Sequence, residues 1–364
     1  MGSKNKKIDL TLLLLTIGIS LFGILMVYNA SVVEAFEIFA DKYHFLKMQS
    51  LWVAVGLVGL AAASLISLPW LKKISPALLL INIILLILVL IPGISSKTLG
   101  ARRWISLAGF NLQPTELIKL TLSIYLAAWL SKERSFWSYL VILITILGLI
   151  MLQPDLGTSI VIIVSAFLVY YASGASLLYI LGLGVLGTLS GLGLILLSPY
   201  RKQRLLTFFN PTSDPLGSSY HIRQALIAVG SGGLWGLGLG QSRQKYQFLP
   251  QVTTDSIFAI IAEELGFLGA GLVIVALFVL ILKAFKIAKY APDKFSQLLA
   301  TGIASWLGIQ VIVNISAMLA LLPLTGVPLP LISYGGSSTV VILMAVGLLL
   351  NISRYQINPK KLQK

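Results

Sequence analysis

LPQVTTDSIFAIIAEELGFLG, residues 249–269, carries three carboxylates, Asp255, Glu263 and Glu264, into an apolar run that continues as AGLVIVALFVLILKAF through residue 285. As a helix that run is long enough to cross about 30 Å of hydrocarbon. An acidic side chain at such depth costs on the order of 3 kcal/mol or more, so it marks a site rather than a surface. Nine further apolar runs accompany this one, and together they read as an all-α polytopic membrane protein with chemistry at the membrane.

Composition agrees. Of 364 residues 57% are hydrophobic and 11% are charged, and mean hydropathy is +0.94, well outside soluble globular usage. The runs predict ten helices at 8–30, 46–67, 76–93, 114–131, 136–152, 155–172, 176–198, 255–284, 296–320 and 333–353. Short links join most of them, which implies one domain over 1–364, interrupted once by a long loop at about 199–254 between helices 7 and 8. An even number of spans puts both termini on one side. Links on that side carry Lys72, Lys73, Lys132 and Lys283, and the termini add Lys6, Lys7, Arg354 and Lys360. The positive-inside rule makes that side cytoplasmic. The formal net charge of +15 therefore sets orientation and does not imply a nucleic-acid partner.

The chain has no cysteine, which excludes disulfides and thiolate metal sites, and its two histidines, His44 and His221, cannot form a histidine-rich metal cluster. The first run follows a lysine-rich start but lacks a small-residue cleavage site, so it reads as a retained span. Within the long loop the apolar stretch 225–239 suggests a segment that lies on or dips into the membrane. Gly236, Gly238 and Gly240 superficially resemble a nucleotide loop, but no strand precedes them and no βαβ unit can form.

Successive helical residues turn by about 100°, so a helix starting at Asp255 places Ala259, Ala262, Gly266 and Gly269 within roughly 40° of it. Such a small-residue stripe allows close helix approach and turns Asp255 into the bundle at its outer edge. Glu263 and Glu264 fall deeper and read as structural groups, as does Asp155 of QPDLG, residues 153–157. In LGARRWISLAGFNLQPTELIKL, Pro114 suits a first helical turn, and Glu116 and Lys119 are i,i+3 neighbours that serve equally as an ion pair or as substrate contacts. Arg102 and Arg103 stand beside Trp104 at the outer interface, where a guanidinium can grip a phosphate through two parallel hydrogen bonds. The outer link PLTGVPLPLISYGGSS, residues 323–338, holds Ser333, Ser337 and Ser338, able to contact sugar or phosphate oxygens if not merely structural.

Taken in order, GARRW with QPTELIKL, QPDLG, IAVGSGGLWGLGLGQSRQK, TTDSIFAIIAEELGFLG and PLTGVPLPLISYGGSS resemble the SEDS family of bacterial shape, elongation, division and sporulation proteins over nearly the whole chain. GQSRQK and TGVPLPLISYGGSS are more similar to the division-type FtsW branch than to the elongation-type RodA branch. The resemblance implies a ten-helix peptidoglycan glycosyltransferase of the cytoplasmic membrane. Such an enzyme polymerises lipid II on the outer face, among membrane lipid, beside a class B penicillin-binding protein and other divisome or elongasome components. It places the family's essential aspartate, in a segment usually written LPExHTDFIF, on Asp255. Here Gln251 stands for the usual glutamate, Thr253 for the frequent histidine and Ser256 for the usual phenylalanine.

The chemistry expected of such an enzyme needs a base for the attacking hydroxyl but little general acid, because a departing diphosphate is already a weak base. Asp255 is the expected base. Arg102, Arg103 or Lys119 would stabilise the diphosphate, with a divalent cation, Mg or Mn, as the alternative and no other cofactor. A lipid II flippase and a non-catalytic scaffold are the rival readings.

Overall fold

The computed structural model describes residues 8–93, 95–98, 101–107, 110–132, 135–176, 199–209, 217, 219–246 and 248–356, with scattered residues between 177 and 198. Helices α1 (Leu10–Phe39), α2 (His44–Leu65) and α3 (Leu68–Leu88) lead into strands β1 (Ser95–Thr98), β2 (Ala101–Leu107) and β3 (Phe110–Leu112). Then come α4 (Pro114–Leu130), α5 (Phe136–Met151), α6 (Leu156–Ala172), α7 (Pro199–Phe209), α8 (Tyr220–Ser231), α9 (Ile257–Lys289), α10 (Lys294–Met318) and α11 (Gly336–Ser353). Nine of the ten predicted spans coincide with a helix, and the seventh, 176–198, lies largely outside the described residues.

Burial sorts the helices into layers. The apolar windows of α10 and α11 are 89% and 78% buried, and these two form the centre. In α1, Leu12, Thr16, Ile19, Gly23, Met26 and Ala30 face inward at helical spacing, while Leu10, Leu14, Leu21 and Leu25 stay exposed. Exposed leucines on so apolar a helix are at home only in hydrocarbon. Among the described residues six helices, α1, α2, α3, α9, α10 and α11, are long and apolar enough to cross a membrane, and α5 and α6 are shorter apolar helices. The chain is a multi-pass membrane protein.

Several expectations change. Helix α3 starts at Leu68, eight residues before the predicted start at Pro76, because Pro69 occupies the first turn and Pro76 sits inside the helix. The Lys72 carbonyl that Pro76 cannot bond accepts instead from Ser75 Oγ at 2.9 Å. The stretch between the third and fourth predicted spans holds an antiparallel sheet in the order β1-β2-β3, so the helical bundle carries one small sheet between α3 and α4. Asp255 lies in the turn before α9, which begins at Ile257, and Gly266 is non-helical at φ 67, ψ −169. The continuous stripe running from Asp255 through Gly266 therefore does not exist.

The break at Gly266 explains the glycines of the long loop. Interrupting the ladder orphans backbone groups on α9, which inside a membrane must find other partners. Residues 232–240 supply them. Leu237 and Gly238 N–H donate to the Glu263 and Glu264 carbonyls at 3.0 Å, while Phe267 and Leu268 N–H donate to Gly233 and Leu234 carbonyls at 2.8 and 3.2 Å. Backbone meets backbone so closely that a Cβ on Gly236 would run into the Glu264 carbonyl. The stretch expected to dip into the membrane is thus docked against the α9 kink.

Candidate functional site

One cavity of about 1760 Å³ opens among α5, α6 and the loops around Asp255 and Leu324. Its polar end gathers Asp255, Asp155, Arg103, Arg204 and His221, and its long wall is apolar, with Leu140, Leu143, Leu147, Ile160, Ile163 and Phe167. Trp104, Glu116, Tyr334 and Ser338 also reach the lining.

Asp255 is held by its backbone, which leaves its side chain for the cavity. Asn314, buried on α10, donates through Nδ2 to the carbonyl of Asp255 and to that of Val327, both at 2.8 Å. Ser333 Oγ donates to the Thr254 carbonyl at 2.6 Å, and Tyr334 N–H donates to the Thr253 carbonyl at 2.8 Å. The turn before α9 and the link before α11 are therefore one unit. Gly326, at φ 74, lies where a Cβ would press on Asp255 Oδ2 at 3.3 Å. Among the described residues no hydrogen bond reaches the Asp255 carboxyl. Burial pushes that carboxyl up to about 6, with the Asp155 charge adding to the rise and Arg204 and Arg103 opposing it.

The cations are also anchored. Arg103 donates from Nε to the Gln153 carbonyl at 3.0 Å and from Nη2 to the Pro154 carbonyl at 2.6 Å, which fixes β2 over the end of α5. Arg204 on α7 donates from Nη1 to the Leu324 carbonyl at 2.7 Å. Asp155 caps α6, accepting from Thr158 N–H at 3.0 Å and from Thr158 Oγ1 at 2.8 Å, and still faces the cavity.

Four expected contacts do not reach the cavity wall. Arg102, next to Arg103 on β2, is not among the residues that line the cavity. Lys119 is buried behind Glu116, 2.7 Å from Glu116 Oε1 and 3.0 Å from Gln310 Oε1, with the Trp306 ring 5.3 Å away. Ser333 is committed to Thr254 and to the N–H of Leu329, and Ser337 to the Asn111 carbonyl and the Gln113 N–H. Glu116 alone of its pair lines the cavity, and among the described residues its buried Oε2 has no partner.

Glu263 and Glu264 lie away from the cavity, facing the docked loop. Ser242 Oγ and Arg243 N–H donate to Glu263, while Gly240 N–H, Ser242 N–H, Asn29 Nδ2 and Lys245 Nζ donate to Glu264. Every carboxylate oxygen there is satisfied. Among the described residues no three Asp, Glu, His or Cys side chains gather as a metal would require. Sequence reading does not single out Arg204, one of six basic residues in the 199–254 loop, or His221. Only the fold distinguishes Arg204 from its neighbours. The Thr253 and Ser256 departures beside Asp255 were the one available hint that polar partners there are rearranged.

A family model described as a cell cycle protein of the FtsW, RodA and SpoVE type matches residues 9–358. Stage V sporulation protein E of Bacillus subtilis (strain 168) is 41% identical, covering 98% of this chain and 99% of that protein. The probable peptidoglycan glycosyltransferase FtsW of Trichlorobacter lovleyi is 42% identical over 95% of this chain and 93% of its own length. Among solved structures, a chain of a peptidoglycan synthase complex that coordinates polymerization and crosslinking superposes with a TM-score of 0.80 at 29% identity, covering 96% of this chain and 99% of that one. The Thermus thermophilus rod shape determining protein RodA gives a TM-score of 0.70 at 28% identity over 96% and 98%.

Proposed function

The chain belongs to the SEDS family of cell cycle proteins, and from that premise we propose that it is a peptidoglycan glycosyltransferase polymerising lipid II at the outer face of the bacterial cytoplasmic membrane. The observation that carries the reading is a single cavity joining a carboxylate flanked by guanidiniums to a long apolar wall. That is the shape and chemistry of a diphosphate-linked sugar on an isoprenoid tail, with the tail along α5 and α6.

Asp255 takes the proton of the acceptor sugar's 4-hydroxyl as that oxygen attacks the donor's anomeric carbon, and the carbon–oxygen bond to the diphosphate breaks with its electron pair. Direct displacement inverts the anomeric carbon. Arg103 and Arg204 line the polar end, where the departing negative charge collects, and guanidiniums suit phosphate oxygens better than a lysine does. A second carboxylate acting as acid is not needed, so Asp155 serves as the α6 cap and as a nearby negative charge. Among the described residues no three metal-ligating side chains gather, and no step is routed through a metal.

A class B penicillin-binding protein is the proposed partner, in keeping with the synthase complex that the fold matches. Lysines at both ends and in the short links favour cytoplasmic termini. The test is purified protein with fluorescent lipid II in detergent, with and without that partner. Glycan strands are the expected product. Lipid II left intact in both cases would favour the flippase reading, since detergent leaves no transbilayer step.

A further inference from the structure

His221 in the first turn of α8 lines the same cavity as Asp255, and its Nε2 lies 2.7 Å from Ser256 Oγ. Ser256 is fully buried, and its hydroxyl lies 2.8 Å from the Pro250 carbonyl oxygen. A carbonyl can only accept. The single hydroxyl proton therefore goes to Pro250, and Ser256 Oγ must accept from His221. Nε2 carries the hydrogen.

Burial, and after it the Arg204 charge, pushes the His221 imidazole down to about 4, so the ring is neutral near pH 7. A neutral ring with hydrogen on Nε2 leaves Nδ1 as a bare acceptor, and among the described residues nothing donates to it. Around it Arg103 and Arg204 only donate, and the two aspartates accept as charged groups. The imidazole is thus an uncharged acceptor suited to a sugar hydroxyl or acetamido N–H beside a diphosphate.

We propose that His221 contacts the substrate, its Nδ1 accepting a hydrogen bond from a hydroxyl or amide N–H of the sugar headgroup, with Ser256 as the positioning residue that fixes the ring. This rests on the polymerase reading above. The contact orients the sugar and transfers no proton, so it acts on binding more than on the chemical step.

The test combines lipid II kinetics with ¹⁵N NMR of histidine-labelled protein, in which only His44 and His221 contribute and a His44→Gln variant assigns them. His221→Phe should raise KM about tenfold with kcat changed less than about twofold, the scale of one lost hydrogen bond. His221→Asn, whose side-chain oxygen falls near the place of Nδ1, should recover most of that loss. Ser256→Ala should raise KM about threefold in the wild type and add nothing to His221→Phe. In Asp255→Asn protein, adding lipid II should move the His221 Nδ1 resonance towards a hydrogen-bonded value and leave Nε2 protonated. Three results would overturn the proposal: wild-type KM in His221→Phe, an Nδ1 resonance indifferent to lipid II, or equal losses in His221→Phe and His221→Asn with a lowered thermal midpoint in both. The NMR titration reads lipid II binding even if the protein makes no glycan, so failure of the polymerase reading is separately visible.

Discussion

Asp255 and the Glu263/Glu264 pair lie within ten residues of one another and meet opposite fates. The glutamates are enclosed, 1% and 0% exposed, and each oxygen accepts from a loop N–H, a hydroxyl, an amide or Lys245. Asp255 keeps part of its surface open to a large cavity, is anchored only through its backbone, and meets its nearest cations as charges rather than as hydrogen-bond partners. Depth in a membrane therefore does not by itself make a carboxylate functional. A satisfied network holds the fold, and an unsatisfied group facing a cavity is available to a ligand.

The contrast breaks most visibly at Lys245. Lys245→Ala strands a buried Glu264, and loss of one partner of a buried pair should cost about 3–5 kcal/mol, seen as a large drop in thermal midpoint in detergent. A midpoint equal to wild type would mean that the network is not what docks residues 232–240. Lys119→Ala should fall by a similar amount because it strands Glu116, and the Lys119→Met, Glu116→Gln double variant should regain the midpoint. Failure of the double variant to recover would assign the pair a role beyond mutual neutralisation.

At the polar end the effects are smaller and appear in turnover. Arg103→Lys and Arg204→Lys should each lower kcat/KM about tenfold, one lost charge-assisted hydrogen bond, while Arg102→Lys stays within about twofold. Equal effects at Arg102 and Arg103 would show that facing the cavity is not what matters at Arg103. The mildest expectation is a pH profile. A base must be ionised, so with the Asp255 carboxyl raised to about 6, kcat/KM should be level above that pH and fall tenfold per unit below it. The sign for stability is opposite: a carboxyl whose pKa rises on folding favours the fold while protonated, below about 3.9, and that contribution disappears as pH climbs through about 6. Asp255→Asn should therefore match or exceed wild-type stability near pH 7.

Much of this was legible in the residues. Helical apolar runs matched nine helices because lipid-facing and core-facing positions are both apolar, and Asp255 stood out because it opens an apolar run that carries two further carboxylates. The helix bounds slipped where proline misled, as at Pro76, which the helix tolerates through Ser75. The projection from Asp255 failed at Gly266, since a single glycine inside an apolar run gives no sign that a distant loop will replace its helical hydrogen bonds. Glu263 and Glu264 read as structural groups, but the loop that supplies their partners is not visible in the local pattern. Arg204 and His221 were illegible because their meaning comes from α7 and α8 folding back over the cavity, a long-range arrangement that local pattern does not encode.

The most direct measurement is lipid II polymerisation by Asp255→Asn and Glu264→Gln side by side, each with its thermal midpoint. Asp255→Asn should lose about 10²–10⁴-fold or more of glycan synthesis with an undiminished midpoint, and Glu264→Gln should lose midpoint first and activity only in proportion to the unfolded fraction. Near-normal glycan strands from a well-folded Asp255→Asn protein would contradict Asp255 as the base.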